Sequence, residues 1–316
     1  MYRHFSCSPR SRSPKSPFCS RPEGRRSGEK AENMERIHGK QLKDFINTFF
    51  RPENLMYAPK WVECPPGRRV LVLSPHFDDE TLSCGGTLAK HAADGASVTV
   101  VFMTDGKAGD YLNPDKEAVM NIRKAEARAA CDLLGIRKLV MLDEPETELK
   151  SHPALIRRLT VLFREERPDV VYLPTFLDNH IDHLNVNRVF ADLLASLGEV
   201  DFTVNAYEGW TAIVPNLLVD ITDVIDLKRS AIRKYASQLK YVDYEKGSVG
   251  LNAFRGAGYV GRERYAEGFL SLTAKQYMAL FQSCSMKDVK YLDKRLKRRL
   301  ASIKNTLLSR RIESKG

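Results

Sequence analysis

No stretch of this chain stays apolar long enough to cross a bilayer, and no two cysteines stand at Cys-x-x-Cys spacing. The first absence excludes a helical membrane span, which needs about 20 consecutive apolar residues. The second leaves six scattered cysteines, Cys7, Cys19, Cys64, Cys84, Cys131 and Cys284. They suggest neither a thiolate zinc site nor a disulfide framework, so a soluble protein of a reducing cytoplasm is expected. No Gly-x-Gly-x-x-Gly follows the first apolar run, which excludes the usual dinucleotide fingerprint. The N-terminus lacks an apolar h-region and so does not read as a secretory signal. Basic charge is missing from the middle: of the net +10, residues 1–33 carry +5 and residues 287–316 carry +8, leaving the body at −3. No phosphate-binding field covers the body, and no nucleic-acid partner is expected.

What is present divides the 316 residues into four parts. Residues 1–33 are rich in Ser, Arg and Pro, a composition that reads as a disordered extension and also suits an organellar transit peptide or a dispensable leader before Met34. Within 34–66, Ile37, Leu42, Phe45, Ile46 and Phe49 recur at helical spacing and predict a helix, followed by an irregular lead-in from Tyr57 to Gly67. Residues 67–286 read as the catalytic domain. In 287–316, Val289, Leu292, Leu296, Leu300, Ile303 and Leu307 make an apolar stripe among eleven Lys and Arg. Such a basic amphipathic helix can pack on the body, bind a partner, or make peripheral contact with an anionic membrane.

Inside the catalytic segment, apolar strands alternate with helical patterns. Val70–Leu73, Ser97–Met103, Lys138–Leu142, Asp169–Leu173 and Leu217–Ile221 read as strands. Leu82–Ala93, Asp115–Leu134, Pro153–Arg167, His183–Leu197 and Val224–Leu239 read as helices, with Gly85 and Gly86 letting the first approach the sheet. His91, in that helix, reads as a packing or surface histidine. The stretch 247–261 holds five glycines and is expected to be a mobile loop at the site. Strand, helix, strand repeated with long connections predicts an α/β, Rossmann-like three-layer fold with a mostly parallel sheet. A metal site is expected at the C-terminal strand ends.

Two stretches carry that expectation. Val70-Leu71-Val72-Leu73-Ser74-Pro75 leads directly into His76-Phe77-Asp78-Asp79-Glu80, an imidazole and two adjacent carboxylates at a strand tip. His76 and Asp79 offer one nitrogen and one oxygen, which suits Zn²⁺ or Fe²⁺, but a catalytic zinc usually takes three protein ligands. The remaining ligand is sought in Asn179-His180-Ile181-Asp182-His183, which follows the apolar run Val170–Leu173. Taken singly, each stretch could be a helix cap or a hydrogen-bonded histidine; both together point to a metal centre.

These residues also resemble a known family. His76-Phe77-Asp78-Asp79-Glu80, Cys84-Gly85-Gly86-Thr87-Leu88, Thr104-Asp105-Gly106, Arg123 with Glu126, and His180-Ile181-Asp182-His183 follow in the order seen in LmbE-like (PIG-L) zinc-dependent N-acetylglucosaminyl deacetylases. Val219–Thr222, Ser237-Gln238 and Tyr265–Phe269 extend the likeness. The resemblance implies a zinc ion (Fe²⁺ as the alternative) held by His76, Asp79 and His183. Asp78 would be the general base, His180 the stabiliser of the oxyanion, and Asp182 the carboxylate that orients a histidine. It implies that Arg123, held by Glu126, contacts the sugar or its aglycone. Where the family shows Pro-Asp-Gly, this chain has Glu146-Thr147, so Glu146 is the candidate for a sugar hydroxyl. The expected activity is removal of the acetyl group from an N-acetylglucosamine-containing conjugate. The alternatives are an amidase for a larger amide of a glycoside, a metal-dependent phosphoesterase, and a non-catalytic sugar-binding protein.

Overall fold

The computed structural model describes residues 59–259 and 261–283. The expected extension 1–33, the helix expected between 35 and 50 and the basic helix of 287–316 lie outside the described residues. Along the chain the strands are β1 (Lys60–Val62), β2 (Arg69–Ser74), β3 (Ser97–Thr104), β4 (Lys138–Glu144), β5 (Val170–Pro174), β6 (Thr203–Tyr207), β7 (Leu217–Asp220) and β8 (Ala266–Thr273). The helices are α1 (Asp79–Ala93), α2 (Lys116–Leu133), α3 (Pro153–Glu166), α4 (Ile181–Leu197), α5 (Ile225–Ile232), α6 (Ala236–Leu239), α7 (Tyr244–Tyr259) and α8 (Ala274–Ser283).

All eight strands join one sheet, ordered β1-β7-β8-β6-β5-β2-β3-β4. Every pairing is parallel except those of β8, which runs antiparallel to β6 and β7. Because strand side chains alternate between faces, each central strand feeds two cores at once. Val70, Val72, Val100 and Phe102 face one, with Leu88 of α1, Ala127 of α2 and Ala231 of α5. Leu71, Leu73, Val101 and Met103 face the other, with Leu159 of α3, Phe190 of α4 and Tyr277 of α8. The result is three layers, as the alternation of patterns predicts. Among the described residues no helix is long and apolar enough to cross a membrane.

The order of the strands locates the site. From β2 the chain moves to β3 on one side, whereas β5 lies on its other side, in register through Val70 with Val170 and Val72 with Tyr172. Their following helices, α1 and α4, cover opposite faces. Such a reversal opens a crevice beyond the C-terminal strand ends. The two ligand-bearing stretches flank it.

Four sequence expectations need correction. The lead-in 57–67 contains β1, paired with β7 at the sheet edge. The helix expected over 224–239 is divided into the turn Thr222–Val224, α5 and α6. It breaks at Tyr235, whose fully buried ring turns inward so that its hydroxyl bonds Glu80. The glycine-rich stretch 247–261 is mostly the helix α7, not a loop. Tertiary contact overrides its poor helix propensity: Val249 is buried, Ser248 donates to the Leu82 carbonyl at 2.6 Å, and Asn252 holds Lys228 at 2.9 Å. Finally, α1 starts at Asp79 and kinks at Cys84. Its second half is capped by Glu267 of β8, which accepts from the amides of Gly86 and Thr87 at 2.9 and 2.7 Å. Close approach rests on Gly86 alone, since a Cβ there would meet Ile221 at 2.7 Å.

Candidate functional site

The loop after β2 and the loop after β5 bring their histidines to one point. Oδ2 of Asp79 lies 3.0 Å from Nδ1 of His76 and 3.2 Å from Nε2 of His183. His180 joins them: the three imidazoles each offer a nitrogen within 4.8 Å of the others. Donor atoms bound about 2.0–2.2 Å from one tetrahedral ion stand about 3.3–3.6 Å apart, so His76, Asp79 and His183 need little movement to share one. Neither nitrogen of the buried His183 completes a hydrogen bond, although each faces a carboxylate. Buried polar groups are normally satisfied. The donor set and these orphaned nitrogens fit a divalent ion.

Each ligand candidate is held from behind. Asp182 Oδ2 lies 3.1 Å from Nε2 of His76 and accepts the Thr147 amide at 2.8 Å. Asp178 Oδ2 lies 3.2 Å from Nδ1 of His183. Asp178 also accepts from the amides of His180 at 3.1 Å and Trp210 at 2.9 Å, tying together a ligand, its neighbour and the next loop. Asp178 was not among the expected residues. Its signal was present in the carboxylate two places before His180 at a strand tip, but its partners are visible only in the fold.

Asp78 points elsewhere. It carries φ 140°, a strained conformation for a residue with a side chain. Glu80 braces it, accepting the Asp78 amide at 3.3 Å while its own carboxylate is bonded by Thr81 and Tyr235 in the core. Burial and the charge of Asp79 raise the Asp78 carboxyl to about 8, against the pull of Arg123. Burial opposes charge on His76 as well, yet its bonds to Asp182 and Asp79 carry it up to about 10. His183 is likewise raised to about 9 by Asp79 and Asp178 in spite of burial. His180 goes the other way, lowered by burial and by its two neighbouring imidazoles. Its Nδ1 accepts the Asp182 amide at 3.2 Å, so the proton of the neutral ring sits on Nε2.

Arg123 and Glu146 meet here, but not in the arrangement first expected. Glu126 does not hold Arg123; it receives the Ser237 amide and hydroxyl at 2.8 and 2.6 Å, pinning α6 to α2. Glu146 takes that place, with Oε1 2.9 Å from Arg123 Nη1. The guanidinium also donates to the carbonyls of Gly106 and Phe77, and lies 3.9 Å from Asp78. His91 is a core residue, 3.0 Å from the Tyr172 hydroxyl.

His76, Asp78, Asp79, Arg123, Glu146 and His180 line a cavity of about 440 Å³, and Asp182 and His183 stand behind its wall. Its floor is the His76, Asp78, Asp79 group, and its mouth is formed by Trp210, Val242 and Tyr244.

Comparison with known proteins follows the same residues. Residues 71–194 match the family described as PIG-L, GlcNAc-PI de-N-acetylase. A diacetylchitobiose deacetylase of Thermococcus kodakarensis is 29% identical over 224 residues, 64% of this chain and 82% of that protein. The solved N,N'-diacetylchitobiose deacetylase of Pyrococcus horikoshii superposes with TM-score 0.59 at 28% identity, covering 67% of this chain and 86% of that one. A 4-carboxy-2-hydroxymuconate hydratase, GalB of Pseudomonas putida KT2440, superposes with TM-score 0.54 at 26% identity, covering 67% and 96%. The shared fold thus hosts more than one reaction, and the reaction has to be argued from the site.

Proposed function

Because the chain belongs to the PIG-L (LmbE-like) family, we propose that it is a zinc-dependent hydrolase that removes the acetyl group from an N-acetylglucosamine unit of a glycoconjugate. One observation carries the reading: His76, Asp79 and His183 surround a single point, while the carboxylate next in sequence, Asp78, stays out of that group. His76, Asp79 and His183 would hold the ion. When bound, zinc lowers the pKa of water to about 7 and polarises a carbonyl.

The chain's own groups do the rest. An amide needs a base for the attacking water, a donor for the carbonyl oxygen and a proton for the departing amine. Asp78 is the base. As a carboxylate it takes the proton of the attacking water, and as the acid so formed it passes that proton to the departing amine. His180, kept neutral with its proton on Nε2, suits a hydrogen bond to the oxyanion. Asp182 and Asp178 fix the rings of His76 and His183. Arg123 and Glu146, locked to each other in the cavity wall, would orient the sugar.

A phosphoesterase would want bridging carboxylates around two ions; among the described residues the candidate group is three imidazoles at one point. A hydratase like GalB and an amidase for larger amides need the same activated water, so the product decides. Zinc-loaded protein is incubated with N-acetylglucosamine, N,N'-diacetylchitobiose and longer-acyl analogues, and acetate and free amine are followed by mass spectrometry. Release of acetate with matching amine supports the proposal; turnover only of longer acyl groups, or none, rejects it.

A further inference from the structure

Resting on the metal centre proposed above, we propose that Arg255 is a positioning residue of the site: paired with Glu208, it holds the segment Glu208–Ile213 against His183 and Asp178, so that a helix carrying no ligand helps to fix one.

The segment follows β6 and has no regular structure of its own. One end lies against the candidate ligand. A Cβ on Gly209 would stand 2.4 Å from Oδ2 of Asp178 and 3.1 Å from Cε1 of His183, so the bare backbone packs on the ring and on the carboxylate behind it. The Trp210 amide adds its bond to that carboxylate at 2.9 Å. The other end is held by charge. Oε1 of Glu208 accepts the Ile213 amide at 2.9 Å, which closes the segment on itself. Arg255 then grips both feet: Nε donates to Oε2 of Glu208 at 3.3 Å, while Nη2 donates to Oε1 of Glu208 and, at 2.6 Å, to the Ile213 carbonyl. Between the feet Gly209, Trp210 and Ala212 are exposed, so burial contributes little to holding them.

The clamp has a rigid base. Arg255 lies on α7, three residues beyond Asn252, which donates to the Ala266 carbonyl at 3.1 Å and accepts from Lys228 at 2.9 Å. At the next position a Cβ on Gly256 would meet the Arg264 carbonyl at 2.0 Å, so α7 lies directly on the chain entering β8. Both members of the pair are buried, each 5% exposed, and Glu208 lines the cavity. Desolvating two charges offsets most of what their attraction contributes, so such a pair adds little stability over apolar side chains of the same size. Its geometry adds what those could not. The planar fork of a guanidinium reaches a carboxylate and a carbonyl together.

The test uses the whole chain carrying Trp61→Phe; the sequence has two tryptophans, so the emission then reports Trp210 alone. Arg255→Met should weaken zinc affinity, read by chelator competition, by about tenfold, the lower end of the range for a partner behind a ligand. In the metal-free chain it should also shift the Trp210 emission to the red and make it easier to quench with acrylamide. Arg255→Lys keeps a charge for Glu208 but not the fork, and should show both effects more weakly. Glu208→Gln combined with Arg255→Met removes the unpaired buried charge, so the thermal midpoint lost in Arg255→Met should recover while zinc affinity and emission stay altered. Recovery of all three, or an Arg255→Met that loses thermal stability with affinity within about twofold and emission unchanged, would limit the pair to a structural role and overturn the proposal. A parent chain that binds no zinc rejects the metal centre, and the emission of the metal-free variants then decides the clamp by itself.

Discussion

Two buried regions of this protein hold histidines, and they treat them oppositely. At the tips of β2 and β5, His76 and His183 are carried up to about 10 and about 9. One helix length away, on the same α1 that begins at Asp79, burial pushes His91 down to about 4. Burial acts in the same direction on all three, toward the neutral ring. The difference lies in the neighbours. His91 meets the hydroxyl of Tyr172 and, at 3.7 Å, the thiol of Cys64. His76 and His183 meet Asp79, Asp182 and Asp178. A core tolerates an imidazole by keeping it uncharged, whereas the strand tips gather carboxylates in surplus, the electrostatic complement of a divalent cation.

The sharpest way to break this contrast is at the tips. Asp78→Asn should leave metal content intact and lower kcat by about 10²–10⁴-fold, the usual worth of a general base. His183→Ala should lose metal and activity together. Metal analysis beside amine release separates the two, and a fully active Asp78→Asn would remove Asp78 from the mechanism. The next effect belongs to the core. A histidine whose folded pKa lies below its unfolded value of about 6.5 costs nothing above that pH. As pH falls through 6.5 toward 4 the unfolded chain takes up the proton first, and stability drops by about 1.4 kcal/mol per unit, about 3 kcal/mol in all. His91→Gln should flatten this part of the acid limb. Thermal midpoints of the two proteins from pH 7 to 4.5 should diverge; parallel curves would show that His91 is not the group responsible.

A smaller effect is expected one layer behind the ligands. Asp178→Asn can keep the His180 amide bond through its remaining oxygen, but an NH₂ group in place of Oδ2 faces both Nδ1 of His183 and the Trp210 amide, which loses its acceptor. Metal affinity, read by chelator competition, should weaken by about 10–100-fold. Unchanged affinity would limit Asp178 to holding the loop.

This third case marks how far the sequence could be read. His76, Asp78, Asp79, His180 and His183 were legible because each motif is short and follows an apolar run, and because parallel strands place their tips on one edge. Asp182 was legible for the same reason. Asp178 was not singled out, since its role depends on Trp210, 32 residues away across β6. Glu126 was assigned to Arg123 by the resemblance to the family, whereas Ser237, 111 residues later, claims it. α7 was hidden by its four glycines, because the contacts that make it helical come from Leu82 and Lys228 on other elements. Local pattern predicted what local chemistry decides, and the packing of distant elements decided the rest.

The smallest expected effect tests a departure from the family pattern. Thr147 stands where the family shows Gly, and it has φ 69°, a left-handed conformation that a β-branched residue adopts at a cost of about 1–2 kcal/mol. What holds it there is its amide, which donates to Asp182 at 2.8 Å and so steadies the carboxylate behind His76. Glycine keeps that amide and removes the strain, but its unfolded chain has more freedom to lose, by about 0.5–1 kcal/mol. Thr147→Gly should therefore gain about 0.5–1 kcal/mol, a rise of about 1–4 °C in Tm, with kcat/KM unchanged. If stability rises and turnover falls, the exposed Thr147 side chain is making a contact with substrate that a glycine at this position gives up.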